Sequence, residues 1–134
     1  MKHIEIFMPG KKDAQKQDFT LELSRLLPRF SFHVEYENNG NPYIIEGLLS
    51  KNTCALIVAL HRKDTLNLTI MALNKKLPII FFFEDIMTNM SVNEHYFLVR
   101  LMEMKKCNIA DFVRCTTNEG ANRLAIRVNN FLED

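Results

Sequence analysis

Two runs of residues constrain this chain more than anything else in it. Cys54-Ala55-Leu56-Ile57-Val58-Ala59-Leu60 and Leu77-Pro78-Ile79-Ile80-Phe81-Phe82-Phe83 present no charged side chain to water. Each is too short to cross a bilayer, and a run without a polar face suits a strand covered on both sides, the habit of parallel sheets. Parallel neighbours need a crossover, and the residues between the runs supply one. Asp64 or Thr65 is placed to cap a helix over 65–76, in which Leu66, Leu68, Ile70, Met71 and Leu73 precede Lys75-Lys76, cations that suit a helix's negative end.

The flanking chain continues the alternation. His3 to Met8 is rich in strand formers and stops at Pro9-Gly10. From Asp13, the apolar residues Phe19, Leu21, Leu23, Leu26 and Leu27 recur near the helical period until Pro28. Phe30, Phe32, Val34 and Tyr36 alternate with Ser31, His33 and Glu35, a strand with one wetter face that belongs at a sheet edge. Asn38 to Pro42 is dense in turn residues, and Tyr43, Ile44, Leu48 and Leu49 then form the apolar side of a short helix. A fourth helix is expected within 92–106, a fifth strand at 111–115, and a last helix striped by Ala121, Leu124, Ala125, Val128, Phe131 and Leu132.

Strands alternating with helices, two of them apolar on both faces, imply a three-layer α/β sandwich around a five-stranded parallel sheet. The order expected is flavodoxin-like, 2-1-3-4-5, with the wetter second strand at an edge. All 134 residues fit one domain, and 47% hydrophobic with 25% charged residues exclude disorder. A net charge of +1 gives no general field for nucleic acid or membrane, so neither is expected as a partner. The start of the chain lacks the long apolar segment of a secretory signal, and the expected location is cytoplasmic. Cys54, Cys107 and Cys115 have no C-x-x-C spacing and suggest reduced thiols rather than a zinc site.

In such sheets ligands bind beyond the strands' carboxyl ends where the order reverses, here between the first and third strands. Pro9, Gly10, Lys11 and Lys12 would line one wall of that crevice, and His61, Arg62, Lys63, Asp64 and Thr65 the other. Cations beside a helix N-terminus suit a phosphate or carboxylate; solvated loops also carry such residues without any ligand. His61 is a candidate base or phosphate contact, Cys115 a candidate nucleophile, and Glu84-Asp85 a candidate acid pair, each lacking an identifiable partner by spacing. No G-x-G-x-x-G follows the first strand and no Walker sequence is present. A receiver domain would need acidic residues where Pro9-Gly10 stands and an aspartate where Leu60-His61 stands.

Ile4-Glu5-Ile6-Phe7-Met8-Pro9-Gly10 resembles the first strand and loop of nucleoside 2-deoxyribosyltransferase-like proteins. Asp64 to Ala72 and Lys76-Leu77-Pro78-Ile79-Ile80 resemble their following helix and strand, in register at Thr65, Ala72 and Pro78. TIR domains are similar in arrangement, with a Gly-rich loop at the place of Asn38 to Pro42. The resemblance implies a Rossmann-like fold, a nucleotide- or NAD-like ligand, and a glutamate on the third helix that stabilises an oxocarbenium-like transition state. That register position is Leu68, flanked by Asn67 and Thr69, and no glutamate occurs on the helix.

Two expectations follow. One is a non-catalytic module that binds a nucleotide-like ligand or a protein partner. The other is an N-glycosidase or NAD-cleaving or deoxyribosyl-transferring enzyme whose carboxylate comes from Glu46 or Asp64, the acids nearest the crevice in the chain. A homodimer is also open, through Tyr96, Phe97, Leu98, Leu101 and Met102 on the fourth helix.

Overall fold

The computed structural model describes residues 2–37, 52–60, 62, 64–83, 93, 96, 100, 103, 107–112 and 117–132. Strands β1 (Lys2–Phe7), β2 (Phe30–Glu35), β3 (Thr53–Ala59) and β4 (Ile79–Phe83) are all parallel, in the order β2-β1-β3-β4. A further strand, β5 (Cys107–Phe112), runs parallel to β4 with Ile79 opposite Cys107 and Phe83 opposite Phe112. The two apolar runs lie side by side, Leu56 opposite Ile79 and Ala59 opposite Phe82.

Helices α1 (Ala14–Leu26) and α3 (Asn118–Leu132) share one face of the sheet, and α2 (Thr65–Asn74) lies on the other. Strand alternation sorts the core accordingly. Ile4, Ile6, Ala55, Ile57, Ala59, Ile80 and Phe82 meet Phe19 and Leu23 of α1 and Leu124 and Val128 of α3. Phe7, Leu56, Val58, Ile79 and Phe81 meet Leu68 and Ala72 of α2. This double coverage explains why residues 55–59 of β3 and all of β4 carry no polar side chain.

Local chemistry sets the helix ends. The Asp13 carboxylate accepts the Lys16 N–H at 2.8 Å and starts α1, and the Thr117 hydroxyl accepts the Gly120 N–H at 3.0 Å and starts α3. Helix α2 ends two residues short of the expected boundary because Lys76 turns left-handed at φ 58°, letting the Leu77 N–H reach the Ala72 carbonyl at 2.8 Å and the Lys76 N–H the Leu73 carbonyl at 3.1 Å.

The fifth strand begins at Cys107, four residues before the 111–115 expected from sequence, because its backbone pairs with β4 from Ile79 onward. Asn108, a poor strand former, hid its start. The short helix expected after Pro42 lies outside the described residues. Within 92–106, Asn93, Tyr96 and Arg100 are helical, while Phe97, Leu98, Leu101 and Met102 lie outside them. Among the described residues no helix is long and apolar enough to cross a membrane.

Candidate functional site

The carboxyl ends of β1, β2 and β3 are bound to one another by backbone. Beyond β1 the Met8 N–H donates to the Glu35 carbonyl at 2.9 Å, and the Glu37 N–H donates to the Gly10 carbonyl at 2.9 Å. The Gly10 N–H in turn donates to Glu37 Oε1 at 3.2 Å. Gly10 reverses the chain at φ +66°, a left-handed conformation that disfavours a side chain. The buried Lys16 then reaches back from α1, its Nζ donating to the Lys11 carbonyl at 3.0 Å and lying 3.7 Å from Asp13 Oδ2. Gly10→Ala is expected to cost about 1 kcal/mol from backbone strain, read as a lower urea midpoint; the nearest atom to the added methyl, Lys16 Nζ at 3.0 Å, is a flexible end that can yield.

Arg62, just past the end of β3, reaches across to the ends of β1 and β2. Its side chain is 0% exposed. Nη1 donates to the carbonyls of Met8 at 2.8 Å and Glu35 at 3.0 Å, so one guanidinium joins the exits of β1 and β2. Nε and Nη2 form a two-pronged pair with Asp64, at 2.8 Å to Oδ1 and 2.7 Å to Oδ2. The guanidinium carbon also lies 5.4 Å from the centre of the Phe7 ring. Planar donors that meet two carbonyls and a carboxylate make a rigid clamp.

The residues expected to line the crevice therefore have unequal standing. Arg62, Asp64 and Thr65 are brought together, but their polar atoms face one another. Asp64 occupies the position before α2 without capping it by its side chain, contrary to the sequence expectation, because the carboxylate is turned onto Arg62. Thr65 does not cap the helix either: its buried hydroxyl donates to the carbonyls of Ala59 and Arg62, both at 2.9 Å. Pro9 is buried beside the Gly10 turn, and Lys11 and Lys12 are exposed on it. Leu68 is 2% exposed and packs in the core against Phe7, Leu56 and Val58. His61, Lys63, Glu46, Glu84-Asp85 and Cys115 lie outside the described residues. Among the described residues no group of three or more His, Cys, Asp or Glu is arranged to hold a metal ion.

Tyr36 lies beside this end of the sheet. Burial raises its phenol above the usual tyrosine value, the Asp13 charge adds to the rise, and a hydrogen bond with Thr20 partly opposes it. The unfolded chain therefore releases this proton first, so Tyr36 contributes stability that is intact below its unfolded value of about 10 and is lost as pH rises above it. Removing the phenol in Tyr36→Phe is expected to flatten the alkaline limb of a stability–pH curve, measured by urea unfolding.

A second polar cluster escaped the sequence reading. On the face of β1 and β2 that Phe7 shares, the register sets His3 opposite Ser31 and Glu5 opposite His33. Glu5 is 3% exposed. Its Oε1 is 2.9 Å from His3 Nε2 and its Oε2 is 2.8 Å from His33 Nδ1. The other nitrogen of His3, Nδ1, is 2.8 Å from Ser31 Oγ. The alternation of β2 signals only a wetter face; the matching polar positions of β1, His3 and Glu5, are the sign that this face is an ordered network.

No family model matches this chain, and no curated protein matches it. Among solved structures it is similar to the sugar isomerase domain of the RpiR transcription factor from Sphaerobacter thermophilus, at 14% identity and a TM-score of 0.55, over 96% of this chain and 70% of that one. Identity at that level speaks to the fold alone, an α/β architecture around a parallel sheet, flavodoxin-like in general.

Proposed function

We propose that this chain is a binding module on a five-stranded flavodoxin-like sheet of order 2-1-3-4-5, that its switch-point end is non-catalytic, and that its partner is a protein. The observation that carries this reading is the Arg62 clamp at the switch-point end, which ties its guanidinium to the backbone of β1 and β2 and leaves both Asp64 oxygens engaged. Leu68 adds to it, since an apolar core residue stands where the resemblance to nucleoside 2-deoxyribosyltransferases and TIR domains calls for a glutamate. An enzyme using Asp64 as a displaced carboxylate would have to break that pair first. A protein partner is favoured by α2, which has no charged residue from Thr65 to Asn74 and leaves Leu66 50% and Ile70 48% exposed.

The test is to incubate the protein with NAD, with deoxynucleosides and, because of the sugar isomerase likeness, with simple sugars, and to follow base release by chromatography and ligand-induced thermal shift. No base release and no shift are expected. Turnover that disappears in Asp64→Asn would overturn the proposal. Light scattering on the same samples reports whether the partner is a second copy.

A further inference from the structure

The structure assigns a nucleophile outside the switch point: we propose that Ser31, activated by His3 and held in register by Glu5, accepts the acyl group of a carboxylic ester. The argument starts from donors and acceptors. An ionised Glu5 can only accept, so the 2.9 Å contact requires the proton of His3 to sit on Nε2. That tautomer leaves the Nδ1 lone pair facing Ser31 Oγ at 2.8 Å, and the hydroxyl donates to it. Nucleophile, base and orienting carboxylate thus stand in hydrogen-bonded sequence, the arrangement by which a serine hydroxyl is activated on unrelated folds.

The remaining contacts keep that sequence in place. Glu5 is buried, and His33 Nδ1 donates to its second oxygen at 2.8 Å, which prevents the carboxylate from rotating away from His3. His33 is 47% exposed, and its Nε2 lies 3.9 Å from Glu35 Oε2, so the network opens to solvent at that end. Strand β2 is the outermost of the described sheet. The Glu35 carbonyl accepts from Met8 and so points toward β1. Strand alternation then turns the N–H of Phe32, the residue after Ser31, away from β1, with no strand beside it among the described residues.

In the first step the Ser31 Oγ–acyl bond forms while its proton passes to His3 Nδ1. The ester C–O bond breaks and the alcohol leaves with that proton. Water then attacks the acyl-serine, His3 again taking and returning the proton, and the carboxylic acid is released. This goes beyond the proposed function, because the switch-point end takes no part in it.

The probe is an alkyl fluorophosphonate applied to the whole chain, with adducts located by peptide mass spectrometry. A Ser31 adduct is expected, absent in Ser31→Ala and formed at least tenfold more slowly in His3→Gln. Glu5→Gln should also slow labelling in the folded protein, an effect a purely structural role would not produce. Thermal unfolding of each variant checks that it is folded. Failure to label Ser31 in the folded wild type, or labelling indifferent to His3, would overturn the proposal and leave the four residues as a lock on strand register.

Discussion

Arg62→Ala is expected to lower the free energy of unfolding by about 3–5 kcal/mol, the largest loss from any single polar side chain described. The guanidinium has no exposed surface, and deleting it removes the partner of the Asp64 carboxylate and of the Met8 carbonyl at once, while the Glu35 carbonyl keeps the Met8 N–H. Charged hydrogen bonds of this kind are worth roughly 1.5–3 kcal/mol each, but the groups left behind regain some water, so the sum is not additive. Arg62→Lys should recover little, because one ammonium cannot serve Asp64 and two carbonyls from the same geometry. Urea unfolding followed by circular dichroism measures both; a loss under ~1 kcal/mol, the range of exposed pairs, would mean that the guanidinium is solvated in solution.

Leu68→Glu tests the missing acid from the opposite direction. If the helix merely lacked its catalytic residue, restoring the carboxylate would leave a folded protein with a chance of base release. Leu68 is instead 2% exposed within the cluster formed by Phe7, Leu56, Val58, Ala72, Ile79 and Phe81, with no cation among those residues to receive a charge. Loss of the leucine's packing plus burial of an unpaired carboxylate should cost roughly 4 kcal/mol or more. The expected result is a large fall in melting temperature at neutral pH, partly relieved in acid where the carboxyl is neutral, and no base release from NAD. A variant as stable as wild type would show that position 68 is open to water.

The layers of this fold were legible because β3 and β4 carry their signal in every residue. A segment with no polar atom to hydrate must be covered on both faces, and a single covered neighbour of the same kind implies a parallel crossover. The helix between them was legible for the same reason, although its end was not: a left-handed Lys76 is a backbone choice that no side chain announces. Strand β5 was misplaced because Asn108 looks like a loop residue until β4 supplies a partner.

The crevice was legible as a location and not as a state. Sequence brings Pro9, Gly10, Arg62, Asp64 and Thr65 to one end of the sheet, and they do meet there. Whether an arginine faces solvent or turns inward depends on carbonyls of Met8 and Glu35, which come from distant parts of the chain and have no residue code. Lys16 was hidden in the same way, since its partner is the backbone of Lys11. The Ser31, His3, Glu5 and His33 network needed the pairing register of β1 with β2, and a shift of one residue would dissolve it.

The reading of a non-catalytic switch-point end rests on the Arg62–Asp64 pair, and a double-mutant cycle measures that pair most directly. Arg62→Ala, Asp64→Ala and the double variant are compared with wild type by urea unfolding. A coupling energy of about 2 kcal/mol or more is expected for a two-pronged, solvent-excluded pair. Coupling near zero would mean that Arg62 and Asp64 stand apart in solution, leaving the Asp64 carboxylate free to act, and would contradict the account.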